Sequence, residues 1–174
     1  MTFEDIYINH KDLVYNLSLQ YIQNIEEAEE ITQDVFLAVY KNLNNFKNKS
    51  NIKTWLYRIT VNKSLDYIKA KRRDKRKSVF QSFRIDEKGE SFGMANFNHP
   101  GVELEQKEAV AKIFKSLNKL QNQQKTVVIL LKIEGMSQAE AADIMKISTK
   151  AVESLFQRAK KNLKDLLNKN EGWQ

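Results

Sequence analysis

The sequence predicts an all-α protein of two small helical domains joined by a linker. Three observations carry this reading. Apolar residues recur at spacings of three and four through most of the chain, the period of helices with one buried face. Runs of β-branched residues bounded by turn pairs, the mark of strands, are absent. Chain breakers collect in one place, with Gly89, Gly93, Pro100 and Gly101 all inside residues 74–101, and Pro100 is the only proline. That stretch, "DKRKSVFQSFRIDEKGESFGMANFNHPG", mixes Ser, Asn, Gly and charge with Phe residues at no regular period and reads as the linker. Its aromatics fit either a solvated tether or docking contacts.

Residues 1–73 and 102–170 then form the domains, each of roughly 70 residues and modestly stable alone. In the first, Phe3, Ile6, Tyr7, Leu13, Val14, Leu17 and Tyr21 stand at helix spacing. A second helix starts at Asn24, an N-cap with Glu27 at N3, and buries Ala28, Ile31, Val35, Val39 and Leu43. A third runs from near Ser50 to about Arg73, which completes a three-helix bundle. The second domain has four helices. One covers about 103–118 and another about 122–133, stopped by Gly135. Ser137 with Glu140 has capping-box spacing and opens a short helix from Gln138 to Met145, built on Ala139, Ala141, Ala142 and Ile144. "KIS" makes a turn, and Ser148 caps the last helix. On a flexible tether the two domains pay an ordering cost that a partner would remove.

Composition narrows the function. The net charge is +7, from 29 Lys+Arg against 22 Asp+Glu, which points to an anionic partner such as nucleic acid or an acidic membrane surface. The longest apolar run, "TVVILL" at 126–131, is too short to span a bilayer, and no basic leader precedes an apolar stretch, so a cytoplasmic protein without membrane insertion is expected. The chain has no Cys and two His, and those two are far apart. This leaves no thiolate site and argues against structural zinc. No cofactor, metal or catalytic constellation is expected.

Two stretches suit nucleic acid. "GMSQAEAADIMKISTKAVESLFQRAKK" has the helix-turn-helix pattern. On a wheel of about 100° per residue, Ala151, Val152, Leu155, Phe156, Ala159, Leu163, Leu166 and Leu167 share one half of the last helix. Lys150, Glu153, Ser154, Gln157, Arg158, Lys160, Lys161 and Lys164 share the other, a face able to reach base edges first and phosphates next. In "SNIKTWLYRITVNKSLDYIKAKRRDKRK", Ile52, Leu56 and Ile59 form one apolar face and Val61, Leu65 and Ile68 form another nearly opposite. Between them Trp55, Arg58, Asn62, Lys69 and Arg73 occupy an arc of about 60°, a strip suited to stacking a base and holding phosphates. The tail "KRRDKRK" carries more charge than a helix dipole needs. By contrast Glu30, Gln33 and Asp34 share an exposed acidic face, which suits a protein rather than DNA.

These stretches together resemble the extracytoplasmic-function group of the sigma-70 family, the bacterial RNA polymerase initiation factors. "EEAEEITQDVFLAVY" is similar to the family's polymerase-binding segment, "FKNKSNIKTWLYRITVNKSLDYIKAKRR" to its −10 region and "EGMSQAEAADIMKISTKAVESLFQRAKKNL" to its −35 helix-turn-helix. The resemblance implies a promoter-specificity subunit of core RNA polymerase without a catalytic site of its own. Glu30, Gln33 and Asp34 would sit on the β′ clamp helices. Lys47, Asn48, Lys49 and Ser50 in the loop, with Trp55, Arg58, Asn62, Lys63, Lys69, Arg72 and Arg73, would take the −10 element. The loop would capture a flipped base. Thr149, Lys150, Glu153, Ser154, Gln157, Arg158 and Lys161 would read −35 DNA while their domain docks on the β flap. An anti-sigma partner is a family-level expectation. Many members carry Arg where Glu153 stands, and Lys146 fills a turn position often held by Gly.

Two other readings remain open on the residues alone. A dimeric helix-turn-helix regulator would bind a palindromic operator without polymerase. A nuclease would need convergent metal ligands, which the acidic run at 26–34 does not supply.

Overall fold

The computed structural model describes residues 2–46, 51–82 and 104–171. Among them are seven helices and no strand. Helices α1 (Phe3–Ile22), α2 (Ile25–Asn42) and α3 (Ile52–Ser82) form the N-terminal bundle, with a 3-10 turn over Leu43–Asn45. Helices α4 (Leu104–Leu117), α5 (Asn122–Val128), α6 (Gln138–Met145) and α7 (Thr149–Glu171) form the second, and α5 continues as a π turn over Ile129–Ile133. This is the expected all-α class with three helices followed by four. Helix α3 passes its expected end near Arg73 and enters the segment read as linker, because "DKRKSVFQS" contains no Gly or Pro and its Lys and Arg are good helix formers. The rest of that segment, residues 83–101, lies outside the described residues.

Local chemistry sets the helix ends. Asn24 Oδ1 accepts from the Glu27 N–H at 2.9 Å, while the Glu27 carboxylate pairs with Lys71 on α3 instead of turning back to the cap. Ser137 and Glu140 complete a reciprocal capping box at the start of α6. Ser148 Oγ accepts from the Ala151 N–H at 3.1 Å and starts α7. The π turn ends at Gly135, whose φ of +66° explains the glycine. Lys146 closes α6 at φ 55°, a left-handed conformation that strains any residue with a Cβ.

Two apolar clusters hold the chain together. Ile6 and Val14 of α1, Ile31, Val35, Phe36 and Val39 of α2 and Leu56 of α3 form the N-terminal core. Tyr7, expected with this group, is 44% exposed, and its ring meets Phe36 edge-on at 4.8 Å between centroids. The larger cluster crosses the domain boundary. Leu17 and Tyr21 of α1 and Tyr57 and Val61 of α3 pack with Phe114, Leu117, Val127–Leu130, Ala141, Ile144, Val152 and Leu155. The domains are therefore packed on one another through a shared core, an arrangement that the expectation of two helical domains and a linker left open. The same fact explains the two apolar faces of α3: Leu56 serves the first core, while Val61, with Leu65 and Ile68 beside it, serves the second.

Buried polar groups cross the same boundary. Tyr21 donates its hydroxyl to Thr126 Oγ1 at 2.9 Å. Lys125, only 3% exposed, donates to the Tyr21 carbonyl oxygen at 2.7 Å and to Asn118 Oδ1. Two acceptors need two protons, so a neutral amine keeps both bonds. Burial, reinforced by the nearby Arg72 guanidinium, pulls Lys125 down to about 7.

The unfolded chain therefore binds the Lys125 proton across the range from about pH 7 to about pH 10, where the folded chain does not. Unfolding free energy rises with pH over this window by on the order of 1 kcal/mol per unit, and the penalty is complete below it. The urea midpoint of the wild-type chain should climb from about pH 7 to about pH 9, and Lys125→Met should flatten the slope; parallel slopes for the two would remove the assignment. Separately, Lys146→Gly should add roughly 0.5–1 kcal/mol of stability by relieving the left-handed backbone. A lower urea midpoint would show that the lysine side chain contributes more than its backbone costs.

Candidate nucleic-acid interface

Helix α7 is seated by its apolar half. Val152 and Ala159 are fully buried and Leu155 nearly so, while Ala141 and Ala142 of α6 let the two helices approach closely. The opposite half faces outward. Thr149, Lys150, Glu153, Ser154, Gln157, Arg158 and Lys161 are all exposed. A capped helix N-terminus with Thr and Lys in its first turn presents hydrogen-bond donors and positive charge together, followed by Gln157 and Arg158 about two turns on. The Lys132 and Lys160 ammonium groups lie 5.5 and 5.8 Å from the Phe156 ring centroid, so cations flank this face as well.

The α3 strip is less open. Asn62, Lys69, Arg72 and Arg73 are exposed, whereas Trp55, Arg58 and Lys63 are half-buried. Trp55 stacks on Phe46 with ring centroids 4.7 Å apart and packs against the N-terminal core, so one face of the indole already has a partner. Arg58 donates through Nη2 to the carbonyl oxygen of Asp143 at 2.7 Å and to its carboxylate at 3.2 Å. Lys69 meets Asp66 at 3.2 Å, and Arg73 lies 3.9 Å from Asp74. Exposed pairs of this kind contribute about 0–1 kcal/mol and yield readily to phosphate. Lys47, Asn48, Lys49 and Ser50 lie outside the described residues.

On α2, Glu30, Gln33 and Asp34 are exposed on one face, as expected. Asp34 lies 3.5 Å from Lys63, so the acidic face borders the basic strip. The same stripe continues into Leu37 and Tyr40, 56% and 67% exposed. The sequence reading passed over both, although they repeat the positions of Glu30 and Gln33 seven residues on. It also missed Glu134 and Asp143, whose partners lie far away in the chain. Among the described residues no cluster of His, Cys, Asp or Glu is suited to a metal ion, and no helix is long and apolar enough to cross a membrane.

The chain matches the family model for Sigma-70 region 2 over residues 6–74 and that for Sigma-70, region 4 over residues 111–163. It is 32% identical over 144 residues to RNA polymerase sigma factor CnrH of Cupriavidus metallidurans, covering 82% of this chain and 74% of that protein. To ECF RNA polymerase sigma factor SigW of Bacillus subtilis it is 28% identical over 173 residues, covering 95% and 88%. The solved structure of CnrH in complex with the cytosolic domain of CnrY has the same fold, with a TM-score of 0.65 at 24% identity over 95% of this chain and 87% of that one. Sigma factor RpoE in complex with the anti-sigma factor NepR from Bartonella quintana gives 0.64 at 21% identity, covering 95% and 96%. The two matched regions fall on the two bundles in chain order, and with the identity to CnrH they show that this chain belongs to the extracytoplasmic-function group of the sigma-70 family of RNA polymerase sigma factors.

Proposed function

We propose that this sigma factor, which directs RNA polymerase to promoters, divides its work among three surfaces. The exposed face of α7 reads the −35 element, the α3 strip with the loop at 47–50 takes the −10 element, and the α2 face carrying Glu30, Gln33 and Asp34 binds the β′ clamp helices of core polymerase. The observation that carries this reading is the uniform exposure of Thr149, Lys150, Glu153, Ser154, Gln157, Arg158 and Lys161 on a helix whose other half is buried. Gln157 and Arg158 are suited to adenine and guanine edges, and Glu153 accepts from cytosine N4. Lys161, a turn further on, suits a phosphate. Leu37 and Tyr40 extend the α2 face with the apolar area that a stable protein contact needs at its centre.

The domain units are residues 1–73 and 102–170, the second docking on the β flap. The chain works in the cytoplasm with polymerase and performs no catalysis itself. The solved structures of CnrH and RpoE each hold a second protein, the cytosolic domain of CnrY and the anti-sigma factor NepR, and a comparable anti-sigma partner is assigned to this chain.

Run-off transcription from the promoter region of its own operon should require both core polymerase and this chain; operator binding by the chain alone, without transcript, would favour a dimeric regulator instead. Gln33→Ala should weaken core binding by roughly tenfold, about 1.4 kcal/mol, with circular dichroism unchanged. Equal affinity would take Gln33 out of the interface. Arg158→Ala should cost about 1–3 kcal/mol and relax preference at one base pair if Arg158 contacts a base, or weaken binding uniformly and lower the salt slope by about 1 if it contacts phosphate. Unchanged binding on all −35 variants would remove Arg158 from the reading face.

A further inference from the structure

We propose that Lys132, Phe156 and Lys160 form a clamp that holds the second phosphate wall of the −35 major groove against α7. The inference rests on the assignment of the exposed face of α7 to −35 DNA and deepens it. The major groove is about 12 Å wide and a helix with its side chains about 10–12 Å across, so a seated helix has a phosphate backbone along each side. Successive helical residues stand about 100° apart. Lys161, with Arg158 beyond it, therefore marks one edge of the reading face, and Lys160 marks the other. Thr149, Glu153, Phe156 and Lys160 follow one another at spacings of three and four and share that second edge. Its chemistry is unfavourable to DNA as far as Glu153, because this exposed carboxylate repels phosphate.

Two cations offset it. The ammonium groups of Lys132 and Lys160 lie 5.5 and 5.8 Å from the centroid of the same Phe156 ring, one coming from the end of α5 and the other from α7 itself. Both lysines are exposed, and neither pairs with a carboxylate among the described residues. Like charges gathered on one ring repel each other, and a phosphate oxygen beside them relieves that repulsion. The ring attracts each ammonium through its negative face, so less side-chain freedom is lost when DNA arrives. The π turn aims Lys132. A regular α-helix would carry Ile133 onto the line of Ile129, which is fully buried. Instead the Glu134 N–H donates to the Ile129 carbonyl oxygen at 2.9 Å, Ile133 is 40% exposed, and Lys132 reaches Phe156. Turns of this kind are frequent at functional sites. A phosphate contact on this edge fixes the seating of α7, and with it the approach of Glu153 to a base pair, while carrying no base information of its own.

The test titrates holoenzyme, assembled from core polymerase and the full-length chain, against fluorescent promoter duplexes that differ only at −35, over a range of salt concentrations. Lys132→Gln and Lys160→Gln should each weaken binding roughly threefold to tenfold near physiological salt and lower the slope of log affinity against log salt by about 1, equally on every −35 sequence. Lys132→Arg should restore both. Phe156→Leu keeps the two charges and an apolar side chain but loses the ring, and should weaken binding by roughly twofold or more with the slope nearly unchanged. Lys11→Gln makes the same change of charge at an exposed position on α1 and should leave the slope as in the wild type. Wild-type slopes in both α5 and α7 lysine variants, or an equal fall with Lys11→Gln, overturn the clamp. Unaltered affinity in Phe156→Leu removes the ring from it. An altered −35 base preference in Lys132→Gln or Lys160→Gln overturns the assignment to phosphate. Arg158→Ala separates this proposal from the reading beneath it. If Arg158→Ala changes −35 binding and the lysine variants do not, the clamp alone fails; if none of the three changes it, the assignment of α7 to −35 DNA fails as well.

Discussion

Helix α3 has to be apolar on two nearly opposite sides, and the rest of the architecture follows from that constraint. Leu56 fills the N-terminal core between α1 and α2, while Tyr57 and Val61 fill the core shared with the second domain. A helix buried on both sides has only a narrow arc left for polar residues. That arc holds Arg58 and Asn62, so the segment that joins the two cores is the one that carries the candidate −10 chemistry. Shifting its register by one residue would take side chains out of both cores at once.

The same economy governs charge. The excess of positive charge is segregated, with cations along α3 and α7 and carboxylates on α2. Where the two sets touch, at Lys63 with Asp34 and at Lys71 with Glu27, they align α2 on α3. Such exposed pairs contribute little to stability. The segregation leaves an acidic face on α2 beside basic faces on α3 and α7. The buried polar groups behave differently. Burial raises the Tyr21 and Tyr57 phenols above their ordinary range and lowers Lys125, which keeps the joint between the domains uncharged at those three groups in mildly alkaline solution.

Much of this was legible beforehand because it is local. Ser137 with Glu140, Asn24, Ser148 and Gly135 each act on backbone within a few residues, and each ends or starts a helix where expected. The exposed half of α7 was legible because one period governs the whole helix. Trp55 was placed by its period in the strip suited to base stacking, and the Phe46 ring stacked against it lies on a different element, out of reach of that period. Ala139, expected to help build α6 inward, is exposed, since so short a helix has room for few buried positions.

The sequence by itself determined the helices, their capped ends, the two opposite apolar faces of α3 and the sidedness of α7. All of these follow from periodicity and from hydrogen bonds closed within a turn or two. Tertiary structure decided what covers the second face of α3, that Lys125 is buried, that Glu134 and Asp143 meet Tyr57 and Arg58, and therefore that the domains are closed on one another. Those contacts join residues far apart in the chain, such as Tyr21 with Thr126. A one-dimensional pattern shows that an apolar face needs a partner but carries no record of which distant side chains supply it.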